Sequence, residues 1–311
     1  MSKIGYSTIH VNTFDPMNEF KIPSHNKRYS GSSVSRQFWM VLIVVGVILL
    51  LMYFMQKWGS EELVIKTTSL SYTPEAKQGV IYHKPNFSLS YVEQYELPEW
   101  VAYELTVGMM NQPKTDRYQD FEPDPAIRSR SGHYHDYKQS GYRRGHLVPS
   151  ADMAWNKPAM DATFLMSNVA PMTEAFNDGI WLELEHNVRD WSRKFGKIQV
   201  VAGPLFKESD TMIGDNEILV PRYFYKAVFT VVDSTPHVVG FLFDQEQERF
   251  GSLEDYIVSI DSLEKETGID LFANLYGNWD IEIALEKQYG ENEQWTFNEK
   301  WSSQRKEKFS Y

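Results

Sequence analysis

Cysteine is absent from this sequence of 311 residues. Disulfide bonds are therefore excluded, and any folded part must rely on its apolar core for stability. A strong basic patch is also missing: the formal net charge is −11, and acidic residues are concentrated between positions 242 and 311. Electrostatic attraction to a polyanion should be modest and sensitive to salt. The sequence contains no internal repeat.

Charged residues are also absent from one long apolar run, residues 38–55, which has aromatic residues at both ends. As a helix these residues would span about 27 Å, close to the thickness of a bilayer core. The run predicts a single transmembrane anchor. A cleaved signal peptide is the alternative, and the mostly polar residues 1–37 before the run argue against it.

The charges around this run predict its orientation. Lysine and arginine are more frequent before the run than after it, which places residues 1–37 in the cytoplasm as a polar tail. The larger C-terminal part is then expected on the periplasmic or extracytoplasmic side, and residues 56–84 are expected to be a linker.

Beyond residue 84 the apolar residues recur with the period of strands in some segments and with that of helices in others. Residues 113–141 are rich in proline, aspartate, serine and glycine, and they are predicted to be mostly loop. Short strand-like runs follow around GHLVP and TFLMSNVAP. Longer elements are predicted as strands at 87–105, 198–206, 223–232 and 237–243, and as helices at 174–195 and 252–268.

One group of polar residues stands out because of its spacing. The motif YRRGH ends at His146, and Asn168, Asn177 and Glu185 follow at intervals of 22, 9 and 8 residues. A histidine can take a proton from water near neutral pH. An amide oxygen and several waters suffice to hold Mg²⁺, and the planar guanidinium of Arg144 suits phosphate oxygens. The group therefore indicates metal-dependent hydrolysis of a phosphodiester.

The predicted helix limits how these residues can share an ion. Asn177 and Glu185 lie eight residues apart, which is about 12 Å along a helix axis and about 80° around it. Direct ligation of one ion by both side chains is therefore unexpected, and Glu185 should reach the ion through a bound water.

The runs SGYRRGHLVPSADM, TFLMSNVAPM, FNDGIWLELE and VAGPLF resemble the DNA/RNA non-specific endonucleases of the ββα-metal class, especially the endonuclease G-like branch. The resemblance covers about residues 85–275, the implied nuclease domain, and leaves 276–311 as an acidic, aromatic C-terminal appendage. It implies an α+β fold in which helices flank a central antiparallel sheet.

The resemblance also implies roles for individual residues. His146 falls on the general base and Asn177 on the magnesium ligand. Arg144, Asn168 and Glu185 fall on positions that assist with the phosphate and with metal-bound waters, and Arg117 looks like an arginine supplied by the upstream loop. The implied cofactor is Mg²⁺, with Mn²⁺ as a substitute, the substrate is DNA or RNA, and a homodimer is allowed.

Two departures from the family pattern leave alternatives open. Arg143 stands where the family usually has aspartate, and Met172 stands where it usually has glutamine. The first alternative is a catalytically weakened nucleic-acid-binding domain of the same fold. The second is a zinc hydrolase that uses His133, His135 and His146.

Overall fold

The computed structural model describes residues 34–59, 73–117, 120–129, 131–233, 235–272 and 294–309. The chain divides into two compact units, Met1–Ile65 and Lys66–Tyr311. The predicted polar tail, residues 1–37, lies outside the described residues except for its last four positions. The middle of the predicted linker 56–84 also lies outside them, and its end contains a strand, Val80–Lys84.

The described part of the first unit is one helix, α1, over Val34–Gly59. The helix predicted for the apolar run is confirmed, and its large apolar side chains between positions 38 and 50 are exposed. A helix must be both long and apolar to cross a bilayer. No helix in the described ranges meets both conditions, so the prediction of a transmembrane span at 38–55 is not supported.

The second unit is built on a seven-stranded antiparallel sheet. Two smaller ribbons, β4 with β5 and β7 with β8, accompany it. The order within the large sheet is β1-β2-β3-β6-β9-β10-β11. The strands are β1 Val80–Lys84, β2 Phe87–Val92, β3 Leu97–Thr106, β4 Arg143–His146, β5 Val169–Met172, β6 Lys197–Leu205, β7 Thr211–Ile213, β8 Ile218–Val220, β9 Tyr223–Val232, β10 Thr235–Asp244 and β11 Ile257–Val258.

Helices cover the sheet, so the predicted α+β class with a central antiparallel sheet is confirmed. Single turns of 3-10 helix lie at Tyr134–Tyr137, Met166–Asn168 and Leu253–Tyr256, and a π-helical turn lies at Phe176–Trp181. The helices in the described part of this unit are α2 Val107–Met110, α3 Lys157–Thr163, α4 Leu182–Phe195, α5 Ile260–Thr267 and α6 Glu299–Phe309.

Two apolar clusters lie on the two faces of the sheet, because side chains alternate between faces along a strand. In β9, Phe224 and Val228 belong to the larger cluster, together with Leu184 of α4. Tyr225 and Ala227 belong to the smaller cluster, which contains residues of α5. This alternation also directs Lys226 towards the face that α4 covers.

The helix predicted at 252–268 is divided in the structure. Its first part is the 3-10 turn Leu253–Tyr256, capped by Ser252 and Asp255 as predicted. Residues 257–258 then pair with β10 as β11, and α5 begins after Ser259. The helix ends at Gly268, as predicted, where φ is +68°. Strand pairing with Gly240 and Phe241 outweighs local helix preference here.

Candidate active site

Strands β4 and β5 form a short ribbon that carries the YRRGH motif. Gly145 pairs with Ala170 and His146 with Val169. The π-helical turn and α4 follow the ribbon, which gives the predicted order of strand, strand and helix. Alternation along β4 places Arg144 and His146 on one face and Arg143 and Gly145 on the other.

His146 is packed between two phenylalanine rings. Its ring centroid lies 5.1 Å from that of Phe121 and 4.9 Å from that of Phe164. Its Nε2 atom is buried and has no hydrogen-bond partner in the described chain. Trp181 Nε1 donates to the His146 carbonyl at 3.2 Å, which fixes the backbone of the motif against the π-helical turn.

Two arginines lie on the same phenylalanine rings. The Arg144 guanidinium carbon is 4.7 Å from the centre of the Phe121 ring, and that of Arg117 is 5.6 Å from the centre of the Phe164 ring. Burial, reinforced by Arg117 and Arg144, lowers the pKa of His146 from 6.5 to about 3. The imidazole is therefore neutral near pH 7, as a general base must be.

Asn177 lies in the π-helical turn, beside the motif. Its Oδ1 is 3.0 Å from the position that a Cβ on residue 145 would occupy, and Met172 Sδ is only 2.2 Å from that position. A side chain at 145 would have to displace Met172 and would crowd Asn177, so glycine at this position allows the close approach of the turn to β4. Asn177 Nδ2 donates to Asp178 Oδ1 at 2.6 Å, whereas Oδ1 accepts no hydrogen bond from the described residues.

The arrangement around Asn177 fits a magnesium ion. A neutral amide oxygen without a protein donor is a hard oxygen ligand, and Mg²⁺ commonly takes few protein ligands and keeps several waters. Asn177 Oδ1 is the atom that would hold the ion.

Asn168 has a structural position. It is fully buried, its Oδ1 accepts from the Val148 N–H at 3.0 Å, and its Nδ2 donates to the carbonyls of Val148 and Thr163, both at 3.0 Å. Because both Nδ2 protons and Oδ1 are used by the backbone, the side chain holds the loop after His146. The structure does not bring this side chain to the His146 ring or to Asn177 Oδ1.

Glu185 belongs to a buried charged network beneath the motif. Arg189 Nη1 is 2.8 Å from Asp152 Oδ1 and 3.9 Å from Glu185 Oε2. Tyr103 donates to the other oxygen of Asp152 at 2.8 Å. Burial raises the pKa of Glu185, and Lys226 is the strongest of the nearby cations that oppose this rise.

Lys226 is a functional candidate that the sequence reasoning missed. The residue is completely buried, its Nζ has no hydrogen-bond partner in the described ranges, and Nζ lies 4.0 Å from the centre of the Trp181 ring. Burial lowers its pKa, and Glu185 opposes that effect. A single charge in the middle of the apolar strand YFYKAVFTVV is the signal that could have identified it.

Arg143, the residue that departs from the family pattern, points away from His146. Its Nη2 is 2.7 Å from Glu174 Oε1, and both side chains are more than half exposed. With Arg144 it lines a cavity of about 400 Å³, whose other lining residues are aromatic or basic: Tyr134, His135, Tyr137, Lys138 and Tyr142. The substitution therefore adds a cation to this cavity.

The alternative zinc site is not supported. His133 and His135 stack on each other with ring centroids 4.6 Å apart, and His133 Nδ1 accepts from the His135 N–H as a helix cap. His146 instead lies between Phe121 and Phe164. Within the described ranges, no group of three or more histidine, aspartate or glutamate side chains could hold a metal ion.

Comparisons with known proteins agree on one family. A family model described as DNA/RNA non-specific endonuclease matches residues 66–278. The mitochondrial nuclease EXOG of Danio rerio is 31% identical over 205 residues, which cover 61% of this chain and 60% of that protein. The mitochondrial nuclease of Saccharomyces cerevisiae is 30% identical over 213 residues, which cover 61% and 65%. This chain thus spans about three fifths of these relatives' length.

A solved structure supports the same fold. The chain is similar to a chain in the crystal structure of the EndoG/EndoGI complex, with a TM-score of 0.59 and 26% identity. The similarity covers 65% of this chain and 89% of the other.

Proposed function

The chain belongs to the DNA/RNA non-specific endonuclease family, and on this basis we propose that it hydrolyses phosphodiester bonds in DNA, RNA or both, with the help of a divalent metal ion. The observation that carries the proposal is that Gly145, next to the neutral His146 in β4, leaves room for the π-helical turn to bring Asn177 Oδ1 against the motif. The proposed base thus directly follows the glycine that the proposed metal ligand approaches.

His146 acts as the general base that takes a proton from the attacking water. Arg144 and Arg117 supply positive charge for the phosphate oxygens. Both arginines help to lower the pKa of His146, so a bound phosphate that neutralises them moves this pKa back towards the working pH. The substrate thereby makes the base stronger.

Mg²⁺, or Mn²⁺ as a substitute, is the proposed cofactor, and Asn177 Oδ1 is its protein ligand. When bound, the ion stabilises negative charge on the scissile phosphate and on the leaving oxygen. Glu185 assists through the solvent around the ion, because its place in α4 does not allow direct ligation together with Asn177.

The cavity beside Arg144 is the proposed binding site for the nucleic-acid strand. Lys138 and the two motif arginines provide cations for backbone phosphates, and Tyr134 provides a ring on which a base can stack. Tyr134→Ala and Lys138→Ala should raise KM while changing kcat little. An unchanged KM in both variants would move the binding site elsewhere.

A cleavage assay tests the proposal. The purified full chain should cut plasmid DNA or RNA with Mg²⁺ or Mn²⁺ and lose this activity with a chelator. His146→Ala should reduce the rate by about 10² to 10⁴-fold, and His237→Ala is the control outside the site. Near-normal turnover in His146→Ala would refute the role of the base. Binding without cleavage by the natural chain would favour the alternative of a weakened binding domain.

Location and assembly are separate proposals. The exposed apolar side chains of α1 and the basic residues before it support membrane association, with the nuclease unit on the extracytoplasmic side. Carbonate extraction and protease accessibility in cells test this placement, and release of the chain by carbonate would contradict it. Sedimentation of the purified chain tests the homodimer that the family resemblance allows.

A further inference from the structure

A segment outside the part of the chain that matches the family contacts the helix of the active site. The family match ends at residue 278, whereas the described residues 294–309 pack on α4. Within this segment, Trp295 is buried, its ring centroid is 5.0 Å from that of Trp191 in α4, and Trp191 Nε1 donates to the Thr296 carbonyl at 2.9 Å. The segment is therefore part of the core.

Arg305 is the most deeply buried contact between α6 and the rest of the unit. Its Nε donates to Glu183 Oε2 on α4. Its Nη1 donates to the Phe250 carbonyl at 2.9 Å and its Nη2 to the Gly251 carbonyl at 2.6 Å. The side chains of Arg305 and Glu183 are only 1% and 4% exposed. A buried charge pair with this many hydrogen bonds fixes geometry, because either partner left alone would be costly.

The end of α6 lies directly on the turn that contains Asn177. A Cβ on residue 179 would be 3.3 Å from the Phe309 ring and 3.7 Å from Arg305 Cδ. Gly179 itself leaves helical geometry, with φ −107° and ψ −108°. Lys308 Nζ is 3.1 Å from Asp178 Oδ2, and the other oxygen of Asp178 accepts from Asn177 Nδ2. Each carboxylate oxygen of Asp178 thus accepts one hydrogen bond, from Asn177 on one side and from Lys308 on the other.

These contacts determine which atom Asn177 presents. A carboxylate can only accept a hydrogen bond, so of the two amide atoms of Asn177 only Nδ2 can bond to Asp178. This bond leaves Oδ1 on the opposite side, towards Gly145. Further along α4, Trp301 stacks on His186 with ring centroids 4.0 Å apart and donates to Asp190 at 2.8 Å. The segment therefore contacts α4 from its first turn to its last.

We propose that residues 294–309 form a brace that positions Asn177 for metal binding, with Arg305, Lys308 and Phe309 as positioning residues. The inference rests on the proposed role of Asn177 as a metal ligand. It means that the metal site of this chain depends on residues that lie outside the family's own domain.

Mg²⁺ binding by the full chain, measured by calorimetry without nucleic acid, tests the brace. Arg305→Met should weaken Mg²⁺ binding by about tenfold, the size of effect that residues behind a metal ligand commonly have. Lys308→Met should weaken it in the same direction. Lys306→Met is the matched control, because it removes the same charge from the same helix without a contact to Asp178, and it should leave Mg²⁺ affinity unchanged.

Thermal unfolding of the same proteins separates positioning from simple packing. Unchanged Mg²⁺ affinity in Arg305→Met and Lys308→Met, with a lower Tm, would show that the segment only stabilises the fold and would overturn the inference. Phe309→Ala provides the test if Arg305→Met does not fold, since it removes only the contact at Gly179. A natural chain that binds no Mg²⁺ would also overturn it.

The calorimetric result is independent of cleavage. If the chain cuts neither DNA nor RNA but its Mg²⁺ binding depends on Arg305, the proposed nuclease is refuted and the brace is supported. If the chain shows metal-dependent cleavage but its Mg²⁺ affinity is unchanged in Arg305→Met and Phe309→Ala, the brace is refuted and the proposed nuclease is not.

Discussion

Replacement of His146 by asparagine should change how folding stability depends on pH. The pKa of His146 is lowered from 6.5 to about 3 in the folded chain, by burial and by the two arginines. Between these two values the unfolded chain binds a proton that the folded chain does not bind. The free energy of unfolding should therefore fall as the pH is lowered, by about 1.4 kcal/mol per pH unit for this one group.

The effect can be measured well inside that window. From about pH 6 to about pH 4.5 the natural chain should lose roughly 2 kcal/mol of stability through His146, and His146→Asn should not lose this contribution. Urea unfolding of the full chain in a chelator, followed by tryptophan fluorescence, measures both curves. His135→Asn, at an exposed position, is the control. If the free energy of unfolding depends on pH in the same way for the natural chain and for His146→Asn, the conclusion that burial and the two arginines keep His146 neutral is refuted.

A second arm of the same experiment uses substrate. A short DNA oligonucleotide in chelator binds without being cut, and its phosphates offset the charge of Arg117 and Arg144. The pKa of His146, followed by NMR, should then rise towards the ordinary histidine range. No rise on binding would contradict the placement of the phosphate against these arginines.

Two further substitutions test the scaffold around the base. Lys226→Met removes the cation that most strongly opposes the raised pKa of Glu185. The pKa of Glu185 should then rise further, and the acid limb of the pH–rate profile should move to higher pH by about one unit or more. An unchanged acid limb would contradict a role for Lys226 at the site. Asn168→Ala leaves the backbone groups of Val148 and Thr163 without their partner and should lower the free energy of unfolding by about 2 to 4 kcal/mol in urea titrations. Normal stability with lost cleavage would instead assign Asn168 to the chemistry.

The elements that periodicity predicted best are those whose pattern agrees with their packing. The apolar stripe of 174–195 became the π-helical turn and α4, and the strands predicted at 198–206, 223–232 and 237–243 became β6, β9 and β10. One buried face per helix and alternating faces per strand are properties of the local sequence, so the sequence suffices to identify them.

Features that depend on distant partners could not be predicted in this way. The short edge strand β11 exists because residues 257–258 meet β10, and β1 lies in a stretch expected to be linker. The spacing of the motif predicted roles for His146 and Asn177, but it could not show that the side chain of Asn168 is bonded to the backbone of Val148. Nor could it show that Arg305 reaches Glu183, since their contact is a matter of tertiary packing.

The contact between Glu183 and Arg305 joins residues that are 122 positions apart. At about 5 to 20 residues per second, synthesis of the intervening chain takes roughly 6 to 25 s. During that time α4 has been synthesised, but Arg305 is not yet available to pair with Glu183 and Phe309 is not yet available to pack against the turn at Asn177. Completion of the turn around Asn177 is therefore delayed relative to formation of the sheet, and under the proposed brace a newly made chain should acquire its Mg²⁺ binding after the sheet has formed.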